Sequence, residues 1–298
     1  MSVAEAEAQE LQLEQQAGLW RDAIDRFRHN PAAMVGLVVL ILLVLVALLA
    51  PLLTRFGPNE QVGPLTTNPS GPSGEFWFGL DGQGRDNFSR LIYGARLSLL
   101  VGLVSVAVGL TLGMLLGAVS GYLGGWVDNL LMRVMDIMLS IPSLLFAIGL
   151  IAVLGRGLFQ IMLAVGIVNV PIFARLLRSG IIAQRESDYV TAARSLGAPG
   201  RRLLLVHILP NSLAPVIVQA TLAMATAIID VAGLSFLGLG PSNPGLPEWG
   251  RTLAENASRL ETGAHLVFFP GFAIVISVLA INLIGDGLRE SLDPKLRA

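Results

Sequence analysis

The runs that lack any charged side chain constrain this chain most. Ala32–Leu53, Leu97–Val127 and Leu266–Ile284 contain no Asp, Glu, Lys or Arg. A helix of about 20 apolar residues crosses the hydrocarbon core of a bilayer, where backbone groups find no water and must bond to one another. Three further runs reach that length at the expense of a few charges. They are Leu130–Leu154 with Arg133 and Asp136, Leu158–Ala174 ending at Arg175, and Leu213–Leu239 with Asp230. The expectation is an all-α polytopic membrane protein with six transmembrane helices. Charged residues make up 14% of the chain, against roughly 25% in soluble domains.

Six spans put both termini on one side. With the termini inside, the inner segments carry about twice as many basic residues as the outer ones, and the positive-inside rule then makes the termini cytoplasmic. The expected division is a cytoplasmic segment 1–31, an N-terminal transmembrane helix 32–53, an extracytoplasmic loop 54–96, a core of five spans 97–288 and a cytoplasmic tail 289–298. Before the first run stand Glu5, Glu7, Glu10 and Glu14. With neither a short basic start nor a small-residue cleavage site, that run reads as a retained span rather than a signal. The outer loops, dense in Gly, Pro and Asn, look shaped by proline more than by a core.

Between the fourth and fifth spans the stretch 175–211 holds six arginines. Within it Tyr189, Ala192, Ala193 and Leu196 recur at i, i+3, i+4 and i+7, one face of a short helix. Ser187 and Asp188 supply N-cap chemistry, Gly197 suits a C-terminal stop, and Pro199-Gly200 makes a turn. Arg201–Leu209 then forms a second short helix, broken by Pro210. An elbow this small needs something to pack against.

Several chemistries are absent from the sequence. A phosphate-binding loop needs a lysine after its glycines, and the only lysine is Lys295. There are no cysteines, and His29, His207 and His265 lie far apart, so no metal site is expected. No Gly-x-Ser-x-Gly elbow occurs. Gly117-Ala118-Val119-Ser120-Gly121 comes near it with the wrong spacing and reads as small residues for close helix packing. A net charge of −1 gives no electrostatic footing for nucleic acid. No catalysis is expected of this chain.

The elbow carries a resemblance. Thr191-Ala192-Ala193, three residues, Gly197, and then Leu209-Pro210 at the right distance resemble the loop of ABC-importer permeases that reads Glu-Ala-Ala-x3-Gly-x9-Ile-x-Leu-Pro. Thr191 stands where that pattern has Glu, and His207 where it has Ile. Phe78–Asp86 with Ser89–Arg96, Gly233–Gly240 with Trp249-Gly250, Asn282–Arg289 and Leu292-Asp293-Pro294 are similar to segments of the dipeptide, oligopeptide and nickel branch. Phe27–Leu53 is similar to the additional N-terminal span of its "C"-type partner.

The resemblance implies a type I ABC importer permease fold in a prokaryotic inner membrane. It implies a heterodimer with a second permease, two ATP-binding subunits that hold ATP and Mg, and an extracytoplasmic binding protein delivering dipeptides or oligopeptides. Nickel-chelate or glutathione uptake is the alternative within that architecture. It also implies that Ser187, Asp188, Tyr189, Thr191, Ala192, Ala193, Leu196, Gly197 and Pro210 form the contact through which the ATPases act. A proton-coupled secondary transporter, the rival class, would need acidic relays at mid-membrane, for which Asp230 is the one candidate. Charges inside spans are costly and should face protein or water. Arg133 and Asp136, at i and i+3, can pair on one helix face. Asp230 stands alone, either lining a path or capping the outer end of its helix.

Overall fold

The computed structural model describes residues 21–65 and 70–292. The acidic N-terminal stretch and the tail from Asp293 onward lie outside them. The described chain is helical, with two isolated bridges, Gln61–Arg85 and Leu80–Asp86, and no strand. Helix α1 (Pro31–Leu48) starts where Asn30 Oδ1 accepts the Ala33 N–H at 3.0 Å and Pro31 occupies the first turn, a position that lacks a donor requirement. Its continuation Ala50–Leu53 completes the first span. Five helices are long and apolar enough to cross a bilayer: α1, α2 (Asn87–Leu123), α5 (Leu158–Arg185), α7 (Gly200–Phe236) and α9 (Ala264–Leu292). The sixth crossing is the pair α3 (Gly125–Ser140) and α4 (Ser143–Leu154).

The expected continuous span Leu130–Leu154 is therefore a broken one, bent by 99°. Proline disfavours helical geometry in the residue before it, and Ile141, just ahead of Pro142, is extended at φ −95°, ψ 129°. The pair still traverses the bundle. Gly124, ahead of α3, lies beside the ends of α2 and α5, whereas Arg156, after α4, donates from Nη1 to the Gly238 carbonyl at 3.0 Å beyond the far end of α7. Six crossings follow, and the start of α1 returns to the end of α9, where Asn30 Nδ2 donates to Glu290 Oε2 at 2.6 Å. One end of the bundle carries the turn between α5 and α7 and is called the elbow end; the other is the cap end.

Other boundaries move outward from the sequence expectation. Helix α2 begins at Asn87 rather than Leu97, because Asp86 caps it by accepting the Ser89 N–H at 2.8 Å. Its 37 residues extend roughly 55 Å, well beyond a hydrocarbon core of about 30 Å. Helix α5 runs through to Arg185 rather than stopping at Ala174.

Helices α2 and α5 form the densest contact in the molecule. On α2, Gly109, Gly113 and Gly117 recur every four residues on one face. A Cβ there would stand 2.7 Å from the Gly166 carbonyl, 2.5 Å from Phe173 Cβ and 2.5 Å from the Ala174 carbonyl, respectively. Without hydrophobic drive between helices in lipid, close backbone approach through small residues holds them together by dispersion. Ser120 and Gly121, expected to serve packing, continue that face. At the elbow-end half of α1, Gly36 seats against the Ala280 carbonyl of α9, and Gly287 of α9 against Ala33.

The cap is more than proline-shaped loop. Buried Asp81, Arg85 and Arg90 form a charge network with half-buried Glu255, with Arg85 Nε to Asp81 Oδ2 at 2.7 Å and Arg90 Nη2 to Glu255 Oε2 at 3.2 Å. It ties the loop before α2 to α8 (Trp249–Asn256). Trp249 is buried, and its Nε1 donates to the Leu91 carbonyl at 2.9 Å. Glu248, also buried, accepts from the Gly250 and Arg251 N–H groups and from Ser235 Oγ on α7. The bonds that join the start of α2 to α8, Arg90 to Glu255 and Trp249 to Leu91, span 165 and 158 residues, so no local signal announced them.

Candidate functional site

The elbow is a short helix pinned by one residue. Helix α6 (Asp188–Ser195) opens at Ser187, which has the extended backbone of an N-cap at φ −72°, ψ 152°. Its hydroxyl, however, turns back to the Gln184 carbonyl at 2.6 Å and makes no cap bond. That corrects half of the expected N-cap. Asp188 still places its charge in the first turn, where the helix dipole favours an anion. The far end closes as a Schellman motif. Gly197 N–H bonds to the Arg194 carbonyl at 3.0 Å and Ala198 N–H to the Ala193 carbonyl at 3.1 Å. Gly197 sits at φ +83°, the left-handed conformation that glycine adopts without steric cost.

The expected apolar face divides in two. Val190, which sequence reasoning passed over, is fully buried (0% exposed) in the main core beside Leu177, Ile181 and Ile208. Tyr189 and Ala193 pack against the same cluster. Thr191, Ala192 and Leu196 face away, Leu196 at 64% exposure. Val190 lies three positions before Ala193 and Tyr189 four, so both flank Ala193 on the side that meets the bundle.

The second short helix is not broken at Pro210. The chain continues as helix from Gly200 to Phe236, with a π-helical segment over Leu203–Ile208 immediately before the proline. A proline ring crowds the carbonyl four residues back and offers it no N–H; the wider π turn absorbs that mismatch. A polar cluster spans the break. Tyr189 Oη donates to Gln184 Oε1 at 2.6 Å, and Asn211 Nδ2 donates to the His207 carbonyl at 2.7 Å and reaches Tyr189 Oη at 3.2 Å. The end of α5, the elbow helix and the root of α7 are thus joined through Tyr189. Arg185 Nη1 adds a bond to the Tyr122 carbonyl at the end of α2, at 2.9 Å.

The charges within the spans are arranged differently from the sequence expectation. Asp136 pairs across helices with Arg175 of α5 instead of with Arg133. Arg133 is exposed and makes no ion pair among the described residues. Arg178 reaches Asp128 of α3 with both Nε and Nη2 at 2.5 Å, and Ser120 Oγ also donates to that carboxylate. The 175/178 spacing along α5 was the sequence signal for two partners on a neighbouring helix. Asp230 is half-buried on α7 and makes no hydrogen bond among the described residues. The structure thus gathers Tyr189, Ala193 and the Pro210 region into one assembly, leaves Thr191, Ala192 and Leu196 presented outward, and keeps Asp136 and Asp230 apart.

Residues 109–298 match the family of binding-protein-dependent transport system inner membrane components, and residues 18–70 match the N-terminal transmembrane domain of oligopeptide transport permease C. The chain belongs to the inner-membrane permeases of binding-protein-dependent transporters. It is 48% identical to the dipeptide transport permease DppC of Alkalihalophilus pseudofirmus, over 94% of this chain and 91% of that one. It is 48% identical to the di/tripeptide permease DppC of Pseudomonas aeruginosa, over 91% and 90%. The glutathione transport permease GsiD of Shigella flexneri matches at 43%, over 93% and 91%. Among solved structures, the inward-facing MetNI methionine ABC transporter aligns with a TM-score of 0.57 over 68% of this chain and 96% of that one, at 19% identity. The permease is thus a multi-pass membrane protein with the ABC-importer permease fold, and such a permease works alongside a partner permease, an ATPase and a binding protein.

Proposed function

We propose that this permease pairs with a second, non-identical permease to form the path by which dipeptides and oligopeptides enter the cell, driven by two separate ATP-hydrolysing subunits. The observation that carries the reading is the elbow helix. It is fixed to the bundle by Val190 and Tyr189 yet presents Thr191, Ala192 and Leu196 outward. An exposed apolar face on a rigidly anchored helix at the end of a membrane bundle fits a cleft in a soluble partner. The two permeases of peptide transport named above support the substrate class. The glutathione relative at 43% identity supports a second reading in which the cargo is that tripeptide. In both readings the elbow end and the termini face the cytoplasm, and a binding protein delivers cargo at the cap end.

ATP binding would draw the two ATPases together. Because α6 is bonded to the end of α5 and the root of α7, pulling on it tilts both spans. Gly197→Asp tests the coupling. The site is open, so a side chain fits, but the left-handed backbone resists it and the added carboxylate sits beside the docking face. The substituted chain should insert and assemble normally while peptide-stimulated ATP hydrolysis by the complex falls at least tenfold. Undiminished stimulation would remove the elbow from the coupling path.

A further inference from the structure

One feature of the span helices is unused by the coupling scheme. The Asp136–Arg175 pair joins α3 to α5, yet the two side chains remain 57% and 49% exposed, respectively. They open into a cleft of about 690 Å³ that α7 enters through Gln219 and that Ser179, Leu139 and Ile172 help to line. Asp136 is eleven residues from the elbow-end start of α3, and Arg175 ten from the elbow-end finish of α5. Both therefore stand roughly 15 Å along their helices from that end, Arg175 directly after the apolar run Leu158–Ala174. A charge pair at the margin of an apolar run faces protein or water rather than lipid. From Gln219 the same face of α7 continues as Thr226 and Asp230. At seven and eleven residues' spacing these fall within about 40° of one another around the helix. Gln219 and Asp230 are half-buried and Thr226 is exposed. Polar side chains in register along one face of an otherwise apolar span mark a wetted surface.

We infer that this cleft is a station for peptide on the translocation path, where Asp136 receives the ammonium terminus and Arg175 the carboxylate terminus of a short peptide. The inference rests on the peptide reading above and deepens it. The cleft is broad and open on one side, and a dipeptide, which extends roughly 7 Å, can lie along it. Between cargoes the two side chains satisfy each other, so a peptide gains contacts only by displacing an existing ion pair. Net affinity stays low, as a path that must release its cargo requires, while a peptide bearing both charged termini is favoured over a capped one. Arginine's fork suits a carboxylate in two-point contact.

The chain has no cysteine, so Ser179→Cys supplies a single reporter in the cleft of the complete complex in nanodiscs. A water-soluble maleimide should label it, and millimolar free dipeptide should slow labelling about tenfold, the protection expected of a weak site with a Kd of about 0.1 mM. The same dipeptide N-acetylated and C-amidated should leave the rate unchanged. Arg175→Gln should abolish protection by the free dipeptide. The exchanged pair Asp136→Arg with Arg175→Asp should keep the helix-to-helix bond and still lose uptake. No labelling of Ser179→Cys, equal protection by capped peptide, or full uptake with the exchanged pair would each overturn the inference and reduce the pair to a brace. Peptide uptake by the unsubstituted complex, measured in parallel, separates the two proposals. If no peptide is carried, the substrate reading falls and this one with it; if peptide is carried and protection fails, only the station falls.

Discussion

Val190 shows how much one side chain can decide. It fills the junction between α5, α6 and the π segment, and burying a side chain of its size is worth about 2 kcal/mol. A transient opening of the elbow costs at least that contact. Val190→Ala should therefore leave the spans intact and increase amide exchange across 188–197 about tenfold or more, measured by hydrogen–deuterium exchange of the complex. Glu248 is the comparable residue at the cap end. Burial pushes its carboxyl above the ordinary 4.5, with its hydrogen bonds offsetting only part of the effect. A raised acid holds its proton more tightly in the folded state, so the contribution of Glu248 to cap stability is fully present below pH 4.5. That contribution is lost as pH rises from 4.5 through the elevated folded value, above which the dependence levels off. Glu248→Gln should flatten that slope in a thermal-unfolding series from pH 4 upward.

At the scale of helices, close approach outweighs propensity. Glycine weakens an isolated helix by about 1 kcal/mol relative to alanine, yet α2 carries Gly109, Gly113 and Gly117 where α5 touches it. Gly113→Leu should force the pair apart against Phe173 and the Val170 carbonyl, costing about 3 kcal/mol or more and lowering the unfolding temperature of the complex. Gly149→Leu on α4, where nothing lies within 4 Å, is the matched control and should change it little. Pro142 and Pro210 act differently for a local reason. Pro142 is preceded by an extended residue and turns the chain, whereas Pro210 is preceded by a π segment and the helix passes through. Both prolines were visible in the sequence. Pro171, Pro215 and Pro270 likewise lie inside continuous helices, so a proline in the sequence did not by itself mark a break.

For the molecule as a whole, orientation is the prediction to check first. The cysteine-free background makes Leu196→Cys a clean probe. In intact cells or right-side-out vesicles an impermeant maleimide should leave it untouched and should label it once the membrane is opened. Labelling from outside would invert the topology and detach the elbow from any cytoplasmic ATPase. Six crossings, with α1 returning to α9 through Asn30 and Glu290, then place the described ends on that same side.

The sequence alone determined the solvent, the helical class, the number of crossings and the presence of an elbow with a glycine stop. Each of these depends on residues near one another in the chain: apolar run length, charge spacing, and a left-handed position that only glycine fills freely. Tertiary structure decided the rest. It put Val190 inside and Leu196 outside, gave Asp136 to Arg175 in place of Arg133, and brought the charges around the start of α2 to Glu255, 165 residues beyond Arg90. Which of two adjacent side chains is buried, and which of several arginines a carboxylate meets, depends on where a second helix lies, and helical periodicity in one segment carries no information about that.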